Sequence, residues 1–470
     1  MNENNQRNYP PRRRPPARRR FPINIDFPKL AILAAMLIAL IFTLCLCSMG
    51  KNDDSNSNNG PIVLPTKPTE APTNPTEKPT DPIDPGITVT GSATIGATGD
   101  MLMHMPCVRP ALQADGSYDF GSYFANFSSY VQAVDYAVAN LETTLAGTGN
   151  GYKYSGYPNF NCPDGIIPSL KSAGFDMMLT ANNHTYDTRS IGFFRTQEII
   201  AQNGLDHIGT KPDTETDSYL IKNINGIQVG MICYTYETDA ATDKISLNGN
   251  APLKDEEESL INVFLKDDVA GFSKDLAANI ADMEADGAEA IVLYIHWGEE
   301  YQTKQNNQQK AMAQAACDLG VDVIVGGHPH VIQPLDLLTS TTDDSHKTVC
   351  LYSTGNAMSN QRLGNISYVH TAHTEDGIFF SFTFVKYSDG TVRVEEVEAL
   401  PLWVNMHSST GKTVYDILPL DKDVADWKAA YNLTSNTLTK ANDSYERTMK
   451  IIGAGLEKIQ TYLDSLPEVA

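Results

Sequence analysis

The sequence predicts an α/β protein, and two observations carry that prediction. From about Ser92 onward, short runs rich in Val, Ile, Leu and Tyr alternate with stretches of helical periodicity. Nearly every apolar run also ends on the same few polar residue types, as strands do when a sheet gathers a ligand beyond its carboxyl ends. With 470 residues and 41% hydrophobic content, the chain is long enough for at least one large core.

The elements that precede this region are of a different kind. Residues 1–50 hold eight Lys/Arg against two Asp/Glu, a net of +6, so the −22 of the whole chain leaves −28 for residues 51–470. Residues 30–49 (LAILAAMLIALIFTLCLCSM) carry no charge. At about 1.5 Å per residue they match a hydrocarbon core of roughly 30 Å, so a transmembrane anchor is expected there. A cleaved signal peptide is the rival reading, opposed by the length of the run and the lack of a small-x-small cleavage site. Lipidation at Cys47 is a weaker alternative, because Leu46 stands where a small residue is expected. The Arg-rich tail, residues 1–29, lies before the run, which by the positive-inside bias keeps the N-terminus cytoplasmic and places the rest outside the cell. Beside a membrane segment this tail reads as a topology signal and a contact for anionic lipid, with no nucleic-acid partner expected. Residues 50–87, rich in Pro and Thr, form a semi-extended spacer.

Within the folded region strands are expected at 93–97, 136–139, 177–180, 229–234, 290–295, 321–325 and 348–353. Helices are expected at 167–173, 193–203, 272–286 and 308–319. The strand texture stops near Leu400, and 424–466 reads as one or two amphipathic helices interrupted at Gly453-Ala454-Gly455. The main domain is therefore placed at 88–405 and a helical extension at 406–470. Five cysteines follow residue 50, an odd number in apolar surroundings, which argues against a dense disulfide framework. A single Cys107–Cys162 bridge stays open.

The residues at the strand ends are Asp100, Asn140-Leu141-Glu142, Asn182-Asn183-His184, His296-Trp297-Gly298, His328-Pro329-His330 and Asn356. Carboxylates, amide oxygens and imidazoles suit a hard or borderline divalent metal such as Mn, Fe, Zn or Mg, and thiolates are missing from the set. In His328-Pro329-His330 an extended step through the proline is expected to hold two imidazoles side by side. Taken singly, each residue has a bland reading as cap, turn or satisfied core group; six polar strand ends together point to a functional cluster. Trp297, Glu300 and Tyr301, which follow His296, are expected to line a substrate groove with Asn140, Asn182 and Asn356.

The strings GDMLMH, NLETTLAG, ANNHTYDTRSIGFFRT, IHWGEEY, GGHPHVIQP and YSTGNAMSNQ, in this order over about residues 93–365, resemble the CapA family of capsule poly-γ-glutamate synthesis proteins. That family is related to the calcineurin-like metallophosphoesterases. The resemblance implies a four-layer sandwich of two mixed β-sheets flanked by helices, with two metal ions at the strand ends. It implies Asp100, Glu142, Asn183, His296, His328 and His330 as metal ligands, Glu142 bridging, and His184 as the catalytic histidine facing the scissile group. Three departures stand out. Leu102 occupies the position where the superfamily often has histidine, with His104 a candidate substitute; Arg189 replaces a usual glycine; and 357–359 is less aromatic than usual.

The implied role is synthesis, anchoring or processing of an extracellular anionic polymer such as poly-γ-glutamate, within a membrane-bound polymer-synthesis complex of a bacterial cell. The alternatives are a metal-dependent phosphoesterase acting on cell-wall phosphoesters and a non-catalytic, metal-stabilised binding module. A −28 exterior repels a polyanion at long range, so direct polymer binding would need bound cations or a local basic patch.

Overall fold

The computed structural model describes residues 86–467, apart from 239–243, 251, 410 and 422–423. The basic tail, the apolar run at 30–49 and nearly all of the spacer lie outside the described residues. Among the described residues, no helix is long and apolar enough to cross a membrane.

Strands buried on both faces form the centres of two sheets. The strands are β1 (Val89–Met101), β2 (Tyr136–Asn140), β3 (Met177–Leu179), β4 (Asp206–Ile208), β5 (Tyr219–Ile224), β6 (Ile227–Glu237), β7 (Val263–Leu265) and β8 (Ala290–His296). They continue with β9 (Val323–Gly327), β10 (Ile332–Thr339), β11 (Lys347–Thr354), β12 (Asn356–Met358), β13 (Asp376–Tyr387), β14 (Val392–Ser409) and β15 (Lys412–Pro419). One sheet runs β15-β14-β13-β1-β2-β3-β4 with β12 added beside β1, and the other β10-β11-β9-β8-β6-β5 with β7 beside β6. Both mix parallel and antiparallel pairs.

Alternate residues of each central strand face opposite layers. In β8, Ala290, Val292 and Tyr294 join a core shared with Ile95, Val138 and Phe382 of the other sheet. Ile291, Leu293 and Ile295 face the other way, onto α3 (Val269–Ala285) and α4 (Asn307–Asp318). The far side of the first sheet is covered by α1 (Ile166–Ala173) and the Ile200 side of α2 (Arg189–Gln202). The result is the expected order of layers: helices, sheet, sheet, helices.

The C-terminal region corrects the expectation. β14 and β15 carry the first sheet on to Pro419, pairing Asp376 with Trp403 and Leu402 with Pro419, so 406–409 and 412–419 are strand rather than helical extension. After α5 (Val424–Ala430), α6 runs from Ser435 to Leu463 with no break at 453–455. Gly455 is there for close packing: a Cβ would sit 1.9 Å from the carbonyl oxygen of Leu335 in β10. Ile452, Ile459 and Leu463 reach into the core between the sheets, and Arg447 (2.7 and 2.8 Å) with Ser444 (2.6 Å) binds the buried carboxylate of Asp376. The helix therefore closes one flank of the main domain. All five described cysteines are buried thiols, and no Cys107–Cys162 bridge forms.

Candidate metal centre

Strand register brings the polar ends together. Asp100 closes β1 level with Asn140 of β2 and Asn356 of β12, while His296 closes β8 level with Gly327, just before His328. The tight approach of the first strand requires Gly99, whose Cβ would lie 1.9 Å from the oxygen of Gly355. His328 and His330 adopt φ of +96° and +55°, so the step through Pro329 is not extended as expected. Two consecutive turns into a left-handed region, costly for non-glycine residues, aim the two rings into one pocket with centroids 6.0 Å apart.

Two overlapping ligand groups result: Asp100, Glu142 and His330, and Glu142, His296 and His328, all buried, with one donor atom from each residue lying within 4.8 Å of the others in its group. Glu142 belongs to both. Its Oε1 is 3.4 Å from His296 Nε2 and 3.9 Å from His330 Nε2. Asn183 adds an amide oxygen 2.8 Å from His296 Nε2.

Hydrogen bonding tests whether these residues fit a cation. Among the described residues nine buried side-chain polar atoms lack a hydrogen-bond partner, and three of them belong to these groups: both oxygens of Glu142 and Nδ1 of His328. A buried carboxylate with no donor is costly unless a cation neutralises it. The field in the pocket points the same way. Burial works against a charged His330, yet Glu142 and Asp100 outweigh it and push that imidazole up to about 10. His328, buried and facing His296 and His330, is held well below the usual range and kept neutral with a free lone pair. The donor set fits divalent metal.

Asn140 and Asn356 serve the ligands directly. Asn140 donates to Asp100 Oδ1 at 2.7 Å, and Asn356 places Oδ1 3.2 Å from His330 Nδ1 while its amide bonds the oxygens of Thr374 and Gln361. Asn182 is one step further out, bonding Asn140 Oδ1 and the oxygen of Leu141 and receiving the backbone N–H of His184. All three spend their polar atoms on the protein, so they orient ligands instead of lining a groove as expected. Trp297 is also corrected: it is buried in the core behind β8, stacked on Tyr352 and donating from Nε1 to that residue's oxygen at 2.9 Å. Glu300 is exposed and Tyr301 half-exposed at the rim, the tyrosine ring 6.3 Å from His330.

His184 stands outside both ligand groups. Its Nδ1 is 2.7 Å from Asp187 Oδ2, which also accepts from the backbone N–H of Phe160. Burial opposes protonation, but Asp187 and then Glu142 prevail and His184 is held above its ordinary range. Leu102 is buried, and His104 does not take its place: it belongs to neither group, and its ring packs 5.1 Å from Phe160. Arg189 has φ +57°, which explains a glycine preference at that position. Sequence reasoning passed over Phe160. Tyr236 packs 4.8 Å from the His328 ring and Phe160 4.7 Å from His184. Aromatic residues in a loop or at a strand end give no periodic signal that would single them out.

The model of the bacterial capsule synthesis protein family PGA_cap matches residues 94–361, more than half of the chain. The chain belongs to that family. Similar proteins include the capsule biosynthesis protein CapA of Bacillus anthracis, 27% identical over 57% of this chain and 60% of its own length. The PGA biosynthesis protein CapA of Bacillus subtilis is 24% identical over 65% of this chain and 73% of its own length. The chain thus spans less than two thirds of the Bacillus anthracis relative. A solved Staphylococcus aureus protein described as a 5′-nucleotidase, in complex with alpha-ketoglutarate, overlaps at TM-score 0.39 and 10% identity, covering 75% of this chain and 58% of its own. That overlap is too loose to inform fold or chemistry. In this member of the family the six residues that the resemblance implies as ligands lie around one pocket, with His184 beside it.

Proposed function

We propose that the chain is a membrane-anchored, outward-facing bacterial protein that processes poly-γ-glutamate or a similar capsule polymer by metal-dependent hydrolysis. The observation that carries this reading is Glu142, a buried carboxylate shared by two ligand groups and given no hydrogen-bond donor by the protein. Asp100, Glu142 and His330 would hold one divalent ion, and Glu142, Asn183, His296 and His328 the other. Such a pair, when bound, supplies Lewis-acid activation of the scissile group and a water of lowered pKa.

The chain's own residues do the rest. Asp100 is kept ionised, against burial, by His330 and Asn140, and Asp100 and Asn356 together hold Nδ1 of His330 so that Nε2 faces Glu142. His184, whose protonated form Asp187 favours, is the group that can hand a proton to the leaving atom. The anchor at 30–49 and the basic tail support the outward topology, and family membership supports the polymer.

A second reading is a phosphoesterase acting on cell-wall phosphoesters: −28 over residues 51–470, with Glu299 and Glu300 at the cleft rim, opposes a polymer charged at every residue more than an isolated phosphoester. One experiment separates the two. Full-length protein in detergent is assayed for bound metal and for turnover of a generic phosphodiester and of poly-γ-glutamate, as wild type, His184→Ala and His328→Ala. Polymer cleavage that needs both histidines supports the first reading; phosphodiester turnover lost in both variants supports the second. Unchanged metal content in His328→Ala would refute the site.

A further inference from the structure

Beyond the ligand pocket, three tyrosines run in a row from His330 to the surface. The Tyr301 ring lies 6.3 Å from His330, Tyr368 is 6.4 Å from Tyr301, and Tyr157 is 5.9 Å from Tyr368. The outer two are 62% and 41% exposed, which is unusual for aromatic rings packed against one another. They come from three separate segments, after β8, after β12 and from the loop that carries Phe160. Local sequence therefore does not explain their meeting. The inner end of the row is built: Tyr301 takes φ +64°, donates its backbone N–H to Pro329 at 2.8 Å and shares its hydroxyl with Gln361 Nε2 at 3.2 Å.

We propose that this row is a binding platform for neutral pyranose rings, one sugar per tyrosine, leading a glycan-bearing substrate into the metal pocket. The proposal rests on the phosphoesterase form of the hydrolytic reading, whose cell-wall substrates can carry sugars, and names its substrate class. The argument is chemical. A tyrosine offers a large, stiff apolar face and a polar tip at small entropic cost, which suits a ligand with an apolar face and a rim of hydroxyls. Glu300 precedes Tyr301 in the chain and is exposed, so it can accept from sugar hydroxyls. The same carboxylate, with Glu299 beside it, repels an anionic chain. Lys266, the basic residue beside the rim, is tied to Glu299 at 2.7 Å. Successive rings are tilted by 48° and 41°. Linked pyranoses turn relative to one another about their glycosidic bonds, whereas the bases of a nucleic-acid strand stack parallel.

The test is direct binding to the full-length protein, purified in a detergent without a sugar headgroup. Two neutral probes are used, cellotetraose and the β-1,4 tetramer of N-acetylglucosamine, with calorimetry and saturation-transfer NMR as readouts. Binding of at least one probe is expected, weakened about tenfold by Tyr157→Ala and by Tyr368→Ala. The Tyr→Phe versions, which keep the ring, should bind nearly as wild type, and unchanged melting temperatures would establish that the variants fold. The platform is overturned if neither sugar binds, if binding ignores both alanine variants, or if poly-γ-glutamate or oligothymidylate binds with the same tyrosine dependence. Sugar binding by a protein without metal or turnover would uphold the platform and remove the hydrolytic reading. Metal and turnover without sugar binding would do the reverse.

Discussion

Replacing Glu142 by Gln should reverse the order of stability between metal-free and metal-loaded protein. In metal-free protein both carboxylate oxygens are buried without a donor. The cost of an unsatisfied buried acceptor is about 1–3 kcal/mol, and more for a charged one. The nearest imidazole nitrogens, Nε2 of His296 and of His330, are 3.4 and 3.9 Å away, and His330 is already engaged with Asp100 at 3.1 Å. Glutamine keeps the shape and removes the charge, so the metal-free variant should be more stable than wild type by about 2 kcal/mol. A metal that binds only the folded state adds RT ln(1 + [L]/Kd), about 4 kcal/mol at a thousandfold excess over Kd. Wild type gains this and the variant loses most of it. At about 1–2 °C per kcal/mol for a domain of this size, melting in EDTA should place the variant a few degrees above wild type. Saturating manganese or zinc should place it a few degrees below. Melting curves without this crossover, or a variant that keeps the full metal-dependent shift, would refute the assignment of Glu142 as a bridging ligand.

Three further outcomes are expected. Asp187→Asn removes the partner that holds the His184 proton; a step that needs protonated His184 is lost as pH rises, so the falling limb of the pH–rate profile should move to lower pH while metal content stays constant. Arg447→Met leaves the Asp376 carboxylate buried, at a cost of about 3–5 kcal/mol near neutral pH. Burial already pushes that carboxyl up to about 6. A raised pKa means stability present below about pH 4 and lost as pH rises through the folded value, so the deficit in urea melts should shrink on acidification from pH 7 to 4; a pH-independent deficit would contradict the argument. Trp297→Phe should cost about 2 kcal/mol by stranding the Tyr352 carbonyl, with metal content unchanged; loss of metal would instead return Trp297 to the cleft.

Each of the strands expected up to 353 exists, because runs such as AIVLYI are buried on both faces and leave a continuous apolar signature. β14 and β15 were missed because one face of each is partly exposed and polar, as in VNMHSS, so they read as loop until pairing with β13 is known. Gly453-Ala454-Gly455 looked like a helix break for a related reason: glycine signals flexibility locally, whereas Gly455 marks the contact with Leu335.

The chemistry at the strand ends was legible for a different cause. A pocket that must attract cations can use only a few side-chain types, and these cannot be hidden in an apolar pattern. By itself the sequence therefore determined the class of fold, the order of the central strands along the chain and the polar residues that end them, from Asp100 to His330. Roles within the pocket were decided by tertiary structure. Whether Asn140, Asn182, Asn356 or Trp297 faces substrate or protein depends on which partners lie within hydrogen-bonding distance, and those come from strands up to about 150 residues away in sequence. The row of Tyr157, Tyr368 and Tyr301 exists only because three distant loops meet, since proximity across a sheet edge is a property of the packed chain and leaves no periodicity in any one segment.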